Sequence, residues 1–283
     1  MKTRALQFTL VGASLLVGVG LYLAPSQLNS EPKTTANASL PVAAFDYETL
    51  IKTAKASLNN ERKVGISALE LALNNNPDSI ALYDSIGKAW DAASIPAVSA
   101  YYFSKKAALV PSEKSYLDAA YRYFDAFKIA ADTSLRGYMV QLAIDNYKKV
   151  LEQNPANLNA KTDLGACYAE GTADPMKGIM LLREVVTTNP KHEMAQFNLG
   201  LLSLKSTQYA KAIERFDKVL AINPKRADVY LYLGQTYLQM GDTANAVSAF
   251  SMYKGKSDNY EMIQQVEQLL QELKGTASGK ATS

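Results

Sequence analysis

A spacing of small, aromatic and proline residues recurs along this chain. In the clearest copy, Gly200 is followed after 12, 4 and 8 residues by Ala212, Phe216 and Pro224. The same steps link four other sets of residues, and a fifth set fits with one additional residue in its first step. These sets are Gly234/Ala246/Phe250/Asp258, Gly87/Ser99/Phe103/Pro111, Ala131/Ala143/Tyr147/Pro155, Thr53/Gly65/Leu69/Pro77 and Gly165/Gly178/Leu182/Pro190. Repetition at one register predicts a chain built from repeated structural units.

The spacing within each set predicts a pair of packed helices. Residues four apart lie on one face of a helix, so Ala212 and Phe216 would present a small and a large side chain together. Gly200 would lie on a preceding helix, where the absence of a side chain lets the second helix approach closely. A turn such as Gly241-Asp242 would separate the two helices, and a proline would end the pair because the residue before it disfavours helical backbone. One hairpin is too thin to bury its own apolar face, so the hairpins are expected to stack.

Further residues at fixed places in these units match a known pattern. The fullest matches are Tyr230, Leu233-Gly234, Tyr237, Ala246 and Phe250, and Tyr83, Ile86-Gly87, Trp90, Ser99, Phe103 and Pro111. Over residues 46–260 the pattern resembles the tetratricopeptide repeat (TPR) family, whose period is about 34 residues. The resemblance implies an all-α fold, a right-handed α-solenoid of stacked helix-turn-helix hairpins. It also implies a scaffold that binds other proteins and is not an enzyme.

The motifs and the composition together predict the organisation of the whole chain. A membrane anchor or signal peptide is expected at 1–24, a flexible linker at 25–45, a capping helix at 261–274 and a disordered tail at 275–283. About six repeats are expected between them, at 46–79, 80–113, 114–157, 158–192, 193–226 and 227–260. The third repeat is enlarged, because Pro111 and Pro155 are 44 residues apart. We expect the extra residues to lengthen its first helix, from Glu113 to about Ala131.

The N-terminal segment favours a transmembrane helix. Residues 5–23 are 19 consecutive uncharged and mainly apolar positions, nearly enough to cross a hydrocarbon core of about 30 Å. Lys2 and Arg4 precede them and would keep the N-terminus in the cytoplasm. The expected location is therefore the inner membrane, single-pass, with the array on the periplasmic side. The alternative is a signal peptide that is cleaved to leave a secreted or periplasmic protein.

Charge and reactive residues exclude several functional classes. The chain carries a net charge of +3, but without Lys2, Arg4, Lys33, Lys280 and Glu31 the segment 46–274 holds 26 bases and 26 acids. A nucleic-acid partner needs a clustered positive field, so none is expected.

One cysteine and one histidine, Cys167 and His192, cannot supply a zinc site of the usual kind. We expect no catalytic residues, cofactor, metal or small-molecule substrate. Cys167 is expected to be a packed helix residue.

The family resemblance also implies where a partner would bind. In TPR proteins the first helix of each hairpin lines a groove that holds a peptide segment of the partner. The matching candidates here are Thr162, Asp163, Phe197, Asn198, Leu201, Leu231, Tyr232 and Gln235. The alternative is that some of these side chains only pack against neighbouring hairpins. Of the positions that clamp chaperone tails in one branch of the family, only Asn198 fits, so that ligand is not expected.

Two further alternatives stay open from the sequence. The enlarged repeat carries Tyr116, Tyr121, Tyr123, Phe124 and Phe127, which would form either an aromatic recognition surface or part of the core. The expected function is a membrane-tethered scaffold or assembly factor. The alternatives are an organelle-surface receptor whose array faces the cytosol, and a regulatory subunit of an enzyme complex.

Overall fold

The computed structural model describes residues 46–280, with side chains to Lys274, and this part of the chain is entirely helical between its turns. Its thirteen helices are α1 (Tyr47–Ala56), α2 (Asn60–Asn75), α3 (Ile80–Ala92), α4 (Pro96–Leu109), α5 (Glu113–Ile129), α6 (Thr133–Gln153), α7 (Leu158–Gly171), α8 (Pro175–Thr188), α9 (Glu193–Lys205), α10 (Tyr209–Ile222), α11 (Ala227–Gln239), α12 (Thr243–Lys256) and α13 (Tyr260–Lys280). They form two compact units that meet in sequence at Asn189 and Pro190. The N-terminal unit contains α1–α8 and the C-terminal unit contains α9–α13.

Each unit is a TPR-like stack of helical hairpins, as the repeated motif predicts. In the N-terminal unit the hairpins are α3–α4, α5–α6 and α7–α8, and consecutive hairpins pack through α4–α5 and α6–α7. In the C-terminal unit α9–α10 and α11–α12 pack through α10–α11, and α13 packs on α12. The motif prolines Pro77, Pro111, Pro155, Pro190 and Pro224 all lie between helices.

The glycine of the motif lies where the two helices of a hairpin touch. A Cβ added to Gly200 would lie 2.6 Å from a ring carbon of Phe216, and one added to Gly234 would lie 2.6 Å from a ring carbon of Phe250. In the hairpin α3–α4 the same addition to Gly87 would meet Phe103 at 2.5 Å, and Ser99 donates a hydrogen bond to the Gly87 carbonyl at 2.9 Å. The predicted role of these glycines is therefore confirmed.

The first helical pair departs from this scheme. Helix α1 packs against α4, and Tyr47 stacks on Tyr101 with ring centroids 4.4 Å apart. The Tyr47 hydroxyl also donates to the Tyr123 hydroxyl at 3.3 Å. Gly65, which occupies the small-residue position of the second helix, has nothing within 4 Å of an added Cβ. The motif at 46–79 therefore does not join its two helices as it does in the later hairpins.

The enlarged repeat distributes its extra length over both helices. Helix α5 has 17 residues and ends at Ile129, short of the predicted Ala131, whereas α6 has 21 residues. The expectation that the first helix takes the added residues is therefore corrected. Helix α6 buries Met139, Val140 and Ile144.

The end of the chain is more helical than expected. Val266, Leu269, Leu270 and Leu273 of α13 are buried against the last hairpin, as a capping helix requires. The helix continues to Lys280, six residues beyond the predicted end at Lys274. The predicted membrane anchor, residues 5–23, and the predicted linker lie outside the described residues. Among the helices that are described, none has an apolar stretch long enough to cross a membrane.

Two glycine-to-alanine variants test the close helix contact. Gly200→Ala should lower the free energy of unfolding by about 1–3 kcal/mol, because the methyl group overpacks against Phe216. Gly65→Ala is the matched control: its site is open and helical, so the same substitution should raise stability by about 0.5–1 kcal/mol. Denaturant titration of both variants measures the difference, and equal effects would contradict the assigned contact.

Candidate functional site

The apolar residues predicted for the groove lie in the packed interior. Phe197, Leu201 and Leu231 are 7%, 7% and 8% exposed. The Phe197 ring centroid is 6.1 Å from Phe216 of its own hairpin and 5.5 Å from Tyr232 of the next. These three side chains pack neighbouring hairpins together. We therefore assign them to the core and no longer count them as candidate peptide-binding residues.

Thr162 is removed from the candidate set for a similar reason. Its side chain has no solvent exposure, and its hydroxyl donates to the Leu158 carbonyl one turn earlier at 2.8 Å. A hydroxyl engaged in this way inside α7 has no atom to offer a peptide in this conformation.

The polar candidates of the C-terminal unit remain at the surface. Asn198 on α9 and Tyr232 and Gln235 on α11 are half-buried, and α9 and α11 contact each other directly. Within the described part of the chain, Asn198 makes no side-chain hydrogen bond and the buried Gln235 Oε1 has no partner. We call Asn198, Tyr232 and Gln235 the C-terminal amide surface.

In the N-terminal unit, first helices also share a surface, and it is strongly polar. The Arg122 guanidinium of α5 holds the Asp91 carboxylate of α3 with two nitrogens, at 2.6–3.0 Å. It also covers the Phe103 ring at 3.6 Å from the centroid, and donates to the Asp118 carbonyl at 2.6 Å. Arg122 is therefore fully engaged and fixes α5 on α3.

Asp163 of α7 is placed differently, because it has no such partner. No Lys or Arg among the described residues forms an ion pair with it, and burial raises the pKa of its carboxyl to about 6. The field of Lys128 and the adjacent Tyr147 hydroxyl oppose this rise in pKa. Lys128 itself pairs with Asp125 at 3.5 Å and covers the Phe124 ring at 4.2 Å. Asp163 is thus a partly buried carboxylate whose charge is poorly compensated.

Two tyrosines interact with this carboxylate. Tyr121 of α5 and Tyr147 of α6 meet edge to face with centroids 5.9 Å apart. Burial, followed by the charge of Asp163, raises the pKa of both phenols. Tyr147 is fully buried whereas Tyr121 is 41% exposed. We call Asp163, Tyr121 and Tyr147 the Asp163 recess. Tyr121 and Asp163 lie on α5 and α7, and these two helices contact each other.

The sequence alone did not single out Tyr121 from the other aromatic residues of α5. Tyr123, Phe124 and Phe127 belong to the core, as the packing alternative held. The buried run of α5 is Ala120, Tyr123, Phe124 and Phe127, at i, i+3, i+4 and i+7. Tyr121 follows the first member of this run by one residue, and that change of helix face was the available signal. Cys167, one turn after Asp163, is buried, and burial raises the pKa of its thiol well above the ordinary value. The expectation of a packed cysteine is confirmed. No group of three or more potential metal ligands occurs in the described part of the chain.

Asp163→Asn should change how stability depends on pH. The carboxyl pKa is raised in the folded state, so folding favours the proton between about pH 4 and pH 6, and stability falls as pH rises through that window. The amide has no charge to bury, so the variant should gain about 1–3 kcal/mol relative to wild type between pH 4.5 and pH 7.5. Urea unfolding at both pH values measures this gain. Asp145→Asn removes a more exposed carboxylate from α6 and should not reproduce it; a constant difference for Asp163→Asn would contradict the assignment.

Comparisons with known proteins support the repeat assignment. Residues 203–270 match a family model described as "Tetratricopeptide repeat". The putative cargo-transport protein ypp1 of Schizosaccharomyces pombe is 32% identical over 119 residues, which are 40% of this chain and 14% of that protein. Anaphase-promoting complex subunit 3 of Dictyostelium discoideum is 28% identical over 100 residues, 34% of this chain and 10% of that protein. The chain therefore spans a small part of these relatives.

Solved structures show the same fold. PilW, described as a widely conserved type IV pilus biogenesis factor, superposes with a TM-score of 0.53 and 14% identity, over 79% of this chain and 99% of that one. A thermophilic TPR protein of Thermus thermophilus gives a TM-score of 0.52 and 16% identity, over 68% of this chain and 100% of that one. Proteins built from this repeat typically mediate protein–protein interaction and are generally not catalytic.

Proposed function

We propose that this chain is a TPR protein that acts as a non-catalytic scaffold or assembly factor, holding a peptide segment of a partner on its first helices. The observation that carries the proposal is the C-terminal amide surface. The Asn198 amide has no hydrogen-bond partner among the described residues, and Gln235 Oε1 is buried without one. Buried amide oxygens are normally satisfied, and an extended peptide has backbone N–H donors that would satisfy Gln235 Oε1. The Asn198 amide is half-buried, so the same peptide would displace water from it.

Tyr232 contributes an aromatic ring to this surface. Its ring stacks on Phe216 with centroids 5.8 Å apart and an angle of 19° between the planes, so it is held rigidly between two hairpins. A fixed aromatic ring offers contact area at low entropic cost, and such residues dominate many interfaces. The proposed groove therefore combines one rigid ring with two amides that select an extended backbone.

The proposal includes a membrane tether. Residues 5–23 form an uncharged, mainly apolar run that is nearly long enough to span a bilayer, and the positive residues before them favour a cytoplasmic N-terminus. The helical units would then work on the periplasmic side of an inner membrane, where the partner would also be found.

Substitutions on the amide surface should weaken partner capture without unfolding the chain. Asn198→Ala with Gln235→Ala removes two hydrogen-bonding groups and leaves the core residues in place, so the affinity should fall at least tenfold, since about 1.4 kcal/mol is a factor of ten. Crosslinking capture by the full chain identifies the partner, and titration with it measures the affinity. Gln264→Ala, an exposed amide on α13, is the matched control. Unchanged affinity in the double variant would place the binding surface elsewhere.

Phe197→Ala separates binding from folding. Because Phe197 is a core residue, its truncation should cost about 3–5 kcal/mol of stability, and lost capture by this variant would report unfolding. A Phe197→Ala chain that melts like wild type would return this residue to the groove.

Fractionation in the source organism tests the tether. The chain should remain with membranes after an alkaline carbonate wash, because an apolar helix of this length is held by the bilayer core. External protease should digest the helical units in spheroplasts with intact inner membranes. A soluble mature protein that begins near Leu21 would favour the cleaved alternative, and digestion only from the cytosolic side would favour the organelle receptor.

A further inference from the structure

We infer that the Asp163 recess binds a lysine or arginine side chain carried by the partner peptide. The inference rests on the proposed function, because the cation arrives on a partner peptide, here one that lies along α5 and α7. It concerns the N-terminal unit alone and names the chemistry of one residue of the ligand.

The first argument is the missing countercharge. Asp163 takes part in none of the ion pairs found among the described residues. Removing an ion from water costs several kcal/mol unless a partner is supplied. The nearby Lys128 is already held by Asp125 and Phe124. A ligand cation is the group that the recess lacks.

The second argument is independent of charge. The Tyr147 hydroxyl is buried and makes no hydrogen bond of ordinary geometry with any described residue, although it lies close enough to Asp163 to lower the pKa of that carboxyl. Buried hydroxyls normally have a partner. An ammonium or guanidinium group placed on Asp163 would draw the carboxylate and the phenol into one network, with the phenol oxygen as an acceptor.

The third argument is the exposed ring of Tyr121. A cation within about 6 Å of a ring centroid is attracted by the π face, most strongly for Trp and Tyr. The molecule already uses this contact for Arg122 over Phe103 at 3.6 Å and for Arg226 over Phe197 at 3.8 Å. Tyr121 is the ring beside Asp163 that a ligand can reach from solvent.

Proton binding and cation binding compete at this carboxyl. The groups that act on it are Lys128, Asp125 and Tyr121 of α5, Tyr147 of α6 and Cys167 of its own helix. The charged residues of α8 do not act on Asp163. Lys177 lies over the Tyr168 ring, Glu184 pairs with Lys161, and Arg183 is exposed to solvent. The affinity for a basic ligand should therefore fall as pH drops through about 6.

The test selects nonapeptides from a random phage-displayed library against the full chain in detergent at pH 7.5. Enriched peptides should share one Lys or Arg, and replacing it by norleucine in synthetic copies should lower the affinity at least tenfold. Asp163→Asn should cause a similar loss, Tyr121→Ala a smaller one, and Asp145→Asn none. The affinity of wild type for the basic peptide should be about tenfold lower at pH 5, while the norleucine peptide shows no such change.

The outcomes separate this inference from the proposed function. Enriched peptides without a basic residue, or equal binding to wild type and Asp163→Asn, would overturn the recess and leave a peptide-binding scaffold standing. Failure of wild type to enrich any peptide would overturn both. If Asp163→Asn does not fold, as judged by circular dichroism, the norleucine and pH comparisons on wild type decide the question.

Discussion

A contact between a glycine and an aromatic ring sets how closely the two helices approach in the hairpins α3–α4, α9–α10 and α11–α12. At Gly200 the missing side chain admits the Phe216 ring, which is completely buried. The same ring stacks on Tyr232 of the next hairpin at 5.8 Å. The Phe216 side chain thus packs between the two helices of its own hairpin and also against the following hairpin. Because interiors are close-packed, a shift at this contact is transmitted to the neighbouring hairpin.

This dependence explains which features could be read from the sequence. The glycine and the ring are linked by fixed steps along two helices, so their meeting follows from local periodicity. The orientation of Phe197 could not be derived in this way. It lies one helical step from the polar Asn198, and only the rotation of the next hairpin, which brings Tyr232 within 5.5 Å, decides that Phe197 is covered. The predicted groove therefore included three side chains that belong to the core.

The first repeat shows the converse case, in which a weak motif is overruled by tertiary contacts. Thr53 replaces the glycine of the first helix, and Gly65 offers no side chain at the place where Ala212 stands in a later hairpin. The glycine contact of the later hairpins is missing between α1 and α2, and Tyr47 packs on Tyr101 instead, with its hydroxyl donating to Tyr123. Lys55 still pairs with Glu70 of α2. Aromatic burial thus outweighs the sequence pattern at this end of the array.

Electrostatics distinguishes the two ends of the polar surface on the N-terminal unit. Arg122 and Asp91 are matched by geometry, so the pair contributes to holding α5 on α3 and offers little to a ligand. Asp163 contributes nothing comparable to the fold, and burial with poor compensation makes its charged form costly. Helix α7 stays packed despite this cost because of a close contact with α8. A Cβ added to Gly165 would lie 3.0 Å from Leu182 of α8, and this contact does not depend on Asp163. A residue that costs stability while the packing beside it is secure is best explained by a ligand that supplies the missing charge.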